Sequence, residues 1–443
     1  MNFVRRKYIS LSVVAGLCLF SRAVSAVLFE PGVGVGVEYT DNAALTRDNR
    51  VDEAITVGYV GARISEDEGT LKYDAATSLN NQHYTQNTFS DQNNFQLRSS
   101  ADWEMIKNRL NWFLSDTFTQ RTIRSLGSNA PNNLQDTNVF TLGADLRVPV
   151  SVRQSFSVTP SYSQYYYETQ DTDNKQYSLA ANWNYQLFRL TNVGLSLSAR
   201  EINYTETNIS GQSSNDTTFT TMAVTFSGQR LHSSFSGNLG ATNAKRDNAS
   251  DSTGFSGSLS LLTELSSRSK LQTSLSTDLT DTNTAAFSQA DNPIDGTDDD
   301  IQITSDVIRN SLASVTYSRE DTSFSTRISA RYNKINYSDS PLDRNIQNYD
   351  LELGHPVTEL LSSAFYVNYN YTKQIDTSRQ DDRYTVGGEL RYSFARKLQG
   401  LFDLNYRRKE STFGPDNYDE FSVFVSLVYG FGDVQRPSQS GSF

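Results

Sequence analysis

Apolar residues alternate strictly with small or polar ones in the stretch VGVGVEYTDN, residues 33–42. In a β-strand successive side chains point to opposite faces, so Val33, Val35, Val37 and Tyr39 share one apolar face. The same alternation recurs along the chain in segments of about 10–12 residues, which is long enough for a tilted strand to cross a bilayer. The pattern predicts many amphipathic strands and leaves one question, which face is inside.

The connections between these segments are alternately short and long. Short ones include Glu66–Gly69, Ile106–Asn108 and Phe188–Thr191, and between them lie longer loops rich in Asn, Asp, Ser, Thr and Gln. Short turns on one side and long loops on the other are typical of outer-membrane barrels. Greek-key sandwiches follow no such rule. The chain is therefore predicted to be all-β, a single antiparallel transmembrane β-barrel of about 20 strands, with 18 as the alternative, since single-chain bacterial barrels have even strand numbers.

Charged residues indicate which face meets lipid. An Arg or Lys facing lipid at mid-bilayer costs about 2–4 kcal/mol, and the apolar faces assigned to these segments carry no charge. The charges fall on the opposite parity and are predicted to line the lumen: Arg98, Arg147, Arg200, Arg327, Arg331, Arg391, Asp74, Asp102, Asp145, Asp278, Glu389 and Asp403.

The three tryptophans support this orientation. Trp103, Trp112 and Trp183 each lie near a short turn, at the depth of a periplasmic aromatic girdle. The alternative is that they are ordinary buried tryptophans, because large aromatic residues also dominate soluble cores.

The first 26 residues have the pattern of a secretion signal. Arg5, Arg6 and Lys7 precede an apolar stretch that is short for a membrane span, and Val24-Ser25-Ala26 ends it as a signal-peptidase site would. A retained anchor is the alternative. The predicted organisation is a signal peptide at 1–26, a barrel at 27–432 and a short polar tail at 433–443. Cys18, the single cysteine, lies in the signal, so no disulfide or thiolate metal site is expected in the mature chain.

The balance of charged residues bears on which classes of partner the protein can bind. Of 39 basic residues, four lie in the predicted signal, which leaves 35 against 50 acidic ones. This excess of negative charge disfavours nucleic acid as a partner. Hydrophobic content is 37%, low for a globular chain, as expected when half of each strand faces water. Outer-membrane lipid and the barrel assembly machinery are the expected partners, with Tyr429 and Phe431 as C-terminal aromatics for assembly.

No catalytic constellation is evident, and neither an enzymatic activity nor a cofactor is predicted. His232 and Ser234 share a strand face, as a base and nucleophile would, but they lie at a predicted periplasmic turn. Outer-membrane phospholipases, which use such a pair, work near the outer leaflet. No histidine cluster suits a metal.

Two long loops are candidates for other roles. The longest, at about 281–303, carries five carboxylates that form a weak candidate for Ca²⁺, although EF-hand spacing is absent: Asp291, Asp295, Asp298, Asp299 and Asp300. A solvated acidic loop is the alternative, and a third possibility is a gate folded into the mouth. The loop at about 120–136, with Arg121 and Arg124, is assigned no function.

The predicted lumen residues have two interpretations. Oppositely charged side chains on neighbouring strands can simply stabilise the wall of a wide barrel. Alternatively, the arginines form a path for a hydrophilic or anionic polymer, because the guanidinium fork suits carboxylate or sulfate groups. In that case Tyr166 and Tyr366 are candidate stacking surfaces for sugar rings.

The stretch VGVGVEYTDNAAL resembles the first hairpin of a family of outer-membrane β-barrel porins, whose first strand commonly ends in Tyr-x-x-Asn, here Tyr39 to Asn42. That family is associated with exopolysaccharide export and PEP-CTERM/exosortase loci. The resemblance implies a channel in the bacterial outer membrane that exports exopolysaccharide, with a periplasmic polysaccharide-export protein as a partner. A general diffusion porin and a structural or adhesive barrel remain alternatives. The polar tail after Phe431 departs from the family's pattern.

Overall fold

The computed structural model describes residues 27–205, 216–288 and 301–437. Each of its twenty strands pairs antiparallel with its sequence neighbours, and the first pairs with the last, so the sheet closes into a barrel. The strands are β1 (Leu28–Thr40), β2 (Glu53–Glu66), β3 (Leu71–Tyr84), β4 (Gln92–Ile106), β5 (Leu110–Thr122), β6 (Leu134–Ser151), β7 (Gln154–Tyr167), β8 (Asn174–Phe188), β9 (Thr191–Tyr204), β10 (Thr217–Arg230), β11 (Ser233–Arg246), β12 (Ser252–Ser266), β13 (Ser269–Asp281), β14 (Val307–Glu320), β15 (Ser325–Tyr337), β16 (Arg344–Pro356), β17 (Leu361–Gln374), β18 (Gln380–Ala395), β19 (Leu398–Ser411) and β20 (Tyr418–Gly430). The predicted fold class and the count of twenty are confirmed.

The apolar face of β1 is on the outside of the barrel. Val33 and Val35 are 52% and 61% exposed, whereas Glu38 on the other face is fully buried. Closed barrels have no unpaired sheet edge, so every strand can cross hydrocarbon with its backbone hydrogen bonds satisfied. An apolar exterior around a closed antiparallel barrel places the protein in the bacterial outer membrane.

Trp103 and Trp112 face outward beside the tight β4–β5 turn, where Asn108 takes a positive φ of 58°. These two rings lie at the short-turn end, at the level expected of the periplasmic girdle.

One carboxylate breaks the expected pattern of outward faces. Asp116 shares the parity of Trp112 in β5, and the β5–β6 register runs without a bulge. Its Oδ1 accepts a hydrogen bond of 2.7 Å from Nδ2 of Asn138 on the adjacent strand. The outward faces are therefore not free of charge, and this carboxylate is satisfied by a neighbouring amide.

The long connections lie at the opposite end from the short turns. One of them contains the seven-residue helix α1 (Thr282–Ser288). Among the described residues, no helix is both long and apolar enough to cross a bilayer.

Candidate functional site

Among the described residues, three segments lie inside the barrel. They are loop 3 (residues 123–133, between β5 and β6), the described parts of loop 7 (282–288 and 301–306, between β13 and β14) and the tail (residues 431–437). Their contacts with the wall define the candidate site.

Loop 7 enters the lumen at the end of β13. The Asp281 Oδ2 accepts a 3.0 Å hydrogen bond from the Thr284 backbone N–H, which satisfies a donor in the first turn of α1. Ala285 and Ala286 are buried in an apolar cluster that reaches both β7 and β14–β16. Its described members are Tyr165, Tyr167, Ala285, Ala286, Ile301, Ile303, Ile308, Ile335, Tyr337 and Ile346. Since β7 and β15 lie far apart around the barrel, the cluster bridges the lumen.

Polar contacts fix α1 to the wall of strands β5 to β9. Arg121 donates a 3.2 Å hydrogen bond to the Ala286 carbonyl, and its guanidinium lies 4.7 Å from the Phe287 ring centroid. Tyr167 donates to Asn283 Oδ1 at 2.6 Å.

Arg200 holds α1 from β9. Its Nη1 donates to Thr284 Oγ1 at 2.9 Å, and its Nη2 lies 3.0 Å from Asp281 Oδ1. Arg200, which was predicted to line the lumen, ties loop 7 to the wall.

Loop 3 continues this obstruction. The Gln302 side chain of loop 7 accepts from the Ser125 backbone N–H at 3.1 Å and donates to the Ile123 carbonyl at 2.8 Å. Within loop 3, the Asn133 amide donates to the carbonyls of Arg124 and Ser128. Loops 3 and 7 are thus hydrogen-bonded to one another inside the barrel.

Four cationic side chains grip the tip of loop 3, residues 125–127. We refer to Arg344, Arg379, Arg383 and Lys409 as the basic clamp; Arg344 begins β16, Arg379 directly precedes β18, and the other two lie near the loop end of β18 and β19.

The contacts converge on three consecutive residues. The Leu126 carbonyl accepts from Arg379 at 2.9 Å and from Lys409 at 2.5 Å. Arg383 donates to the carbonyls of Ser125 and Gly127 at 3.4 Å each.

Two carboxylates complete the clamp. Asp381 contacts Arg379 at 2.7 Å and Lys409 at 3.5 Å, while Asp416 contacts Arg379 at 2.5 Å. Burial lowers the pKa of the Arg379 guanidinium, but its bonds to Asp381 and Asp416 outweigh burial and raise that pKa above its usual value.

The tail turns back into the barrel after β20. Gly430 and Gly432 have φ values of 94° and 84°, a region that residues with a Cβ rarely adopt, and they allow the reversal. The Tyr59 hydroxyl donates to the Phe431 carbonyl at 3.0 Å, and the Gln435 N–H donates to Asn80 Oδ1 at 3.2 Å. The tail therefore runs along the inner wall instead of extending away from the barrel.

The inner face of β1 receives the tail. A Cβ added to Gly34 would lie 2.7 Å from Val434, and one added to Gly36 would lie 3.1 Å from it. Val434 is buried against this glycine strip together with Phe424.

Arg436 anchors the tail beyond Val434. Its Nε donates to Glu38 Oε1 at 2.8 Å, and it also contacts Asp403 and Ser422. All four side chains are nearly or fully buried. The ion pairs are therefore screened far less than surface pairs.

Several predicted lumen residues lie on the inward-facing parity of their strands: Arg98, Arg147, Arg327, Arg331, Asp74, Asp102 and Asp145. Asp74 pairs with Arg63 at 2.5 Å, and Asp145 lies 3.6 Å from Arg147 and accepts from Thr159. These contacts show that wall pairing accounts for part of the set.

Other predicted lumen residues act on the inserted segments. Arg391 donates hydrogen bonds to Glu389 of its own strand and to Asp433 of the tail. Asp403 accepts a hydrogen bond from the Tyr366 hydroxyl at 3.0 Å and another from Arg436 of the tail. Asp278 faces Arg200 below α1. Gly387 leaves room for the Tyr366 ring, since a Cβ there would lie 2.3 Å from it.

The placement of Tyr166 in the lumen was wrong. Tyr165 and Tyr167 are buried in the cluster that includes Ala285 and Ala286, so the alternation of β7 turns Tyr166 to the outer face. The five aspartates proposed for Ca²⁺, at 291–300, lie outside the described residues. Loop 3, which was assigned no function, is a principal obstruction.

Space remains beside the inserted segments. A cavity of about 510 Å³ lies against the inner wall of β9–β12 near the short turns, bordered by Asn192, Ser227, Ser236 and Ser260. A second, of about 330 Å³, lies beside the tail between Tyr59 and Arg391.

Comparison with known proteins gives one family match. Residues 310–417, from β14 to the connection before β20, match a family model described as "Putative MetA-pathway of phenol degradation". The match covers fewer than half of the residues. No curated protein is significantly similar to the chain.

Solved structures of low sequence identity also align with the chain. The FrpB iron transporter from Neisseria meningitidis (F5-1 variant) is 11% identical over 91% of this chain and 82% of its own, with a TM-score of 0.48. The siderophore receptor PirA from Pseudomonas aeruginosa is 11% identical over 91% and 80%, with a TM-score of 0.48. OmpTdeltaL8, a loop deletion mutant of an outer membrane protein of Vibrio cholerae, is 9% identical over 92% and 100%, with a TM-score of 0.36. Identities and TM-scores this low do not indicate which solute the protein carries, so the solute has to be inferred from the residues inside this barrel.

Proposed function

We propose that the protein is a gated outer-membrane channel for hydrophilic solutes, closed at rest by loops 3 and 7 and the tail. The observation that carries the proposal is a polar, charged inner wall that is obstructed by segments of the same chain held through side-chain contacts. Such contacts can be broken and remade without unfolding the barrel, because the strand ladder does not depend on them.

The width of the barrel supports transport of something larger than an ion. Twenty strands about 4.8 Å apart and tilted by about 40° give a backbone radius of about 20 Å. Barrels of 16–18 strands already hold an aqueous channel and those of 22 strands a plugged lumen. Twenty strands with internal segments fit between these two classes.

Export of an exopolysaccharide is the specific function we propose. It is supported by the resemblance of the β1 region to porins of exopolysaccharide loci and by inward-facing arginines along the wall, including Arg98, Arg147, Arg327 and Arg331. Guanidinium groups bind carboxylates and sulfates through paired hydrogen bonds. A periplasmic polysaccharide-export protein would then deliver the polymer to the short-turn end.

A general diffusion porin is the second candidate. The pairs Arg63–Asp74 and Arg147–Asp145 favour it, because neighbouring opposite charges on the wall serve small solutes of either sign. The two candidates share the gate and differ in what passes it.

Conductance of the refolded mature chain in planar bilayers tests the proposal. We expect rare, brief openings in the unmodified protein and more frequent openings once the tail is released by Arg436→Ala, because loops 3 and 7 must still undock. Block by the host's own secreted polysaccharide, reduced in Arg327→Ala/Arg331→Ala but not in the outward-facing control Tyr332→Phe, would support export. Conductance indifferent to the polymer would favour the general porin. Absence of conductance in all variants would overturn the channel and favour a structural or adhesive barrel.

A further inference from the structure

The basic clamp holds the backbone of loop 3 in addition to the carboxylates of Asp381 and Asp416, which pair with Arg379 and Lys409. Arg344 and Lys409 are each about 1% exposed, so two of the four cations are buried. Arg344 donates to Ser125 Oγ at 2.8 Å, and Leu126 offers one carbonyl oxygen to both Arg379 and Lys409. A carbonyl carries only a partial negative charge, although buried cations favour a full one.

We propose that the basic clamp is a binding site for the anionic group of an acidic saccharide, and that the tip of loop 3 occupies this site while the channel is closed. The inference rests on the proposed channel function and names the class of solute that opens it. The ligand is a carboxylate or sulfate carried on a sugar ring.

The argument is one of competition for the same donors. Arg pairs especially well with a carboxylate, because two parallel hydrogen bonds join the guanidinium to the two carboxylate oxygens, which a single backbone carbonyl cannot provide. A carboxylate that reached Arg383 and Lys409 would therefore replace the carbonyls of Ser125, Leu126 and Gly127. A ligand that binds only the undocked state shifts the population of loop 3 toward that state.

A purely structural role for the clamp makes a different prediction. If Arg383 and Lys409 only stabilise loop 3, an acidic saccharide should not alter how often the loop undocks. The measured quantity must therefore be undocking itself, as a function of added anion at constant ionic strength.

Ala130 provides the reporter. It lies in loop 3, is buried near Ile55 and Tyr84, and can be replaced by a cysteine in a mature chain that has none. Ala130→Cys should react slowly with a thiol reagent while loop 3 is docked. In detergent micelles, where both ends are accessible, we expect a galacturonate hexamer to raise the rate at least about tenfold, the effect of 1.4 kcal/mol of preferential binding. A neutral glucose hexamer should leave the rate unchanged.

Paired variants separate charge from folding. Arg383→Gln should raise the basal rate and abolish the response to the galacturonate hexamer, whereas Arg383→Lys should retain most of the response. Titration calorimetry with the same hexamer should show saturable binding that Arg383→Gln weakens. Equal rates with acidic and neutral hexamers, or an unchanged response in Arg383→Gln, would overturn the site.

The outcome distinguishes the site from the channel. An anion-dependent labelling rate in a protein that never conducts would retain the site and reject the proposed function. Conductance without any response of Ala130→Cys to the acidic hexamer would retain the channel and reject the site.

Discussion

Removing the Arg436 side chain should release the tail from the inner wall. In the docked state Arg436 faces Glu38, which is fully buried, and Asp403, whose side chain is 9% exposed. Arg436→Ala leaves both carboxylates buried without this partner. When the tail is undocked, the same carboxylates face lumen water and are hydrated, so the loss falls on the docked state alone.

Breaking a buried ion pair by removing one partner costs roughly 3–5 kcal/mol, which corresponds to a roughly 100- to 4,000-fold larger undocked population. The second anchor of the tail provides a matched control. Arg391 and Asp433 have side chains that are 34% and 57% exposed. A pair of this exposure contributes roughly 0.2–1 kcal/mol, so Arg391→Ala should raise the undocked population only about 1.5- to 5-fold.

Cysteine labelling measures the undocked population directly. In protein produced from residue 27 onward, which lacks Cys18, Val434→Cys places the only thiol at a position that is buried against Gly34 and Phe424 when the tail is docked. The labelling rate then equals the intrinsic thiol rate multiplied by the undocked fraction, and it levels off once the tail is fully undocked. Measurements with the purified protein in micelles, with Arg436→Ala or Arg391→Ala added, give the two ratios.

The labelling rates of the two variants test whether the buried Glu38–Arg436 pair holds the tail in place. Labelling that rises no more in Arg436→Ala than in Arg391→Ala would show that burial of the Glu38–Arg436 pair does not control the tail. A fast rate in Val434→Cys alone would show that the tail is undocked at rest.

Three further perturbations test the barrel and its gate. Leu197→Arg, on the outer face of β9, should lower the free energy of folding into lipid vesicles by about 2–4 kcal/mol, while Ser196→Arg on the inner face should change it little; equal losses would reverse the assigned faces. Tyr167→Phe removes the hydrogen bond to Asn283 and should destabilise docked α1 by about 1–3 kcal/mol, seen as longer channel openings at unchanged single-channel conductance. Arg147→Glu should shift the reversal potential toward cation selectivity under a salt gradient, because the change lies on the exposed inner wall.

The strands could be predicted because their signal is local. A period of two is visible within one strand, and lipid penalises charge on one parity of that strand alone. The outward position of Tyr166 was predictable from the sequence, because Tyr166 shares the parity of Phe156 and Val158 in the same strand. The rule that outward faces carry no charge fails at Asp116. Its hydrogen-bond partner Asn138 lies on another strand, so the pattern within β5 cannot reveal the contact.

A gate folded into the mouth is one possibility that the sequence offers for loop 7, but the sequence does not decide between the possibilities, because polar loops suit bulk water and a wet lumen equally well. Loop 3 is held by residues more than 200 positions away, and no local pattern encodes a contact between Leu126 and Lys409. Arg344, Arg383 and Lys409 do fall at the loop ends of strands on the inward parity. Their clustering, however, follows from the order of β16, β18 and β19 in the closed barrel.

The tail left one trace in the sequence. Inward-facing residues of β1 include Gly32, Gly34 and Gly36, followed by Glu38, an unusual series for a wall that must keep its strands rigid. The structure explains it, since Gly34 and Gly36 leave room for Val434 and the carboxylate pairs with Arg436. The small and acidic residues that alternate with the valines of β1 therefore form the surface on which the tail docks.

The inserted segments differ in how tightly they are joined. Gln302 of loop 7 is hydrogen-bonded to Ser125 and to Ile123 of loop 3, so loops 3 and 7 are joined directly. In the described part of the chain, loop 3 and the tail border a common small cavity, which Ala130 and Pro437 both line. Loops 3 and 7 should thus undock together, and the tail separately. A channel obstructed by two independent elements conducts fully only when both are displaced, so its open probability is the product of two undocked fractions. Gating that depends on an acidic solute at loop 3 would then still be limited by the Arg436 anchor of the tail.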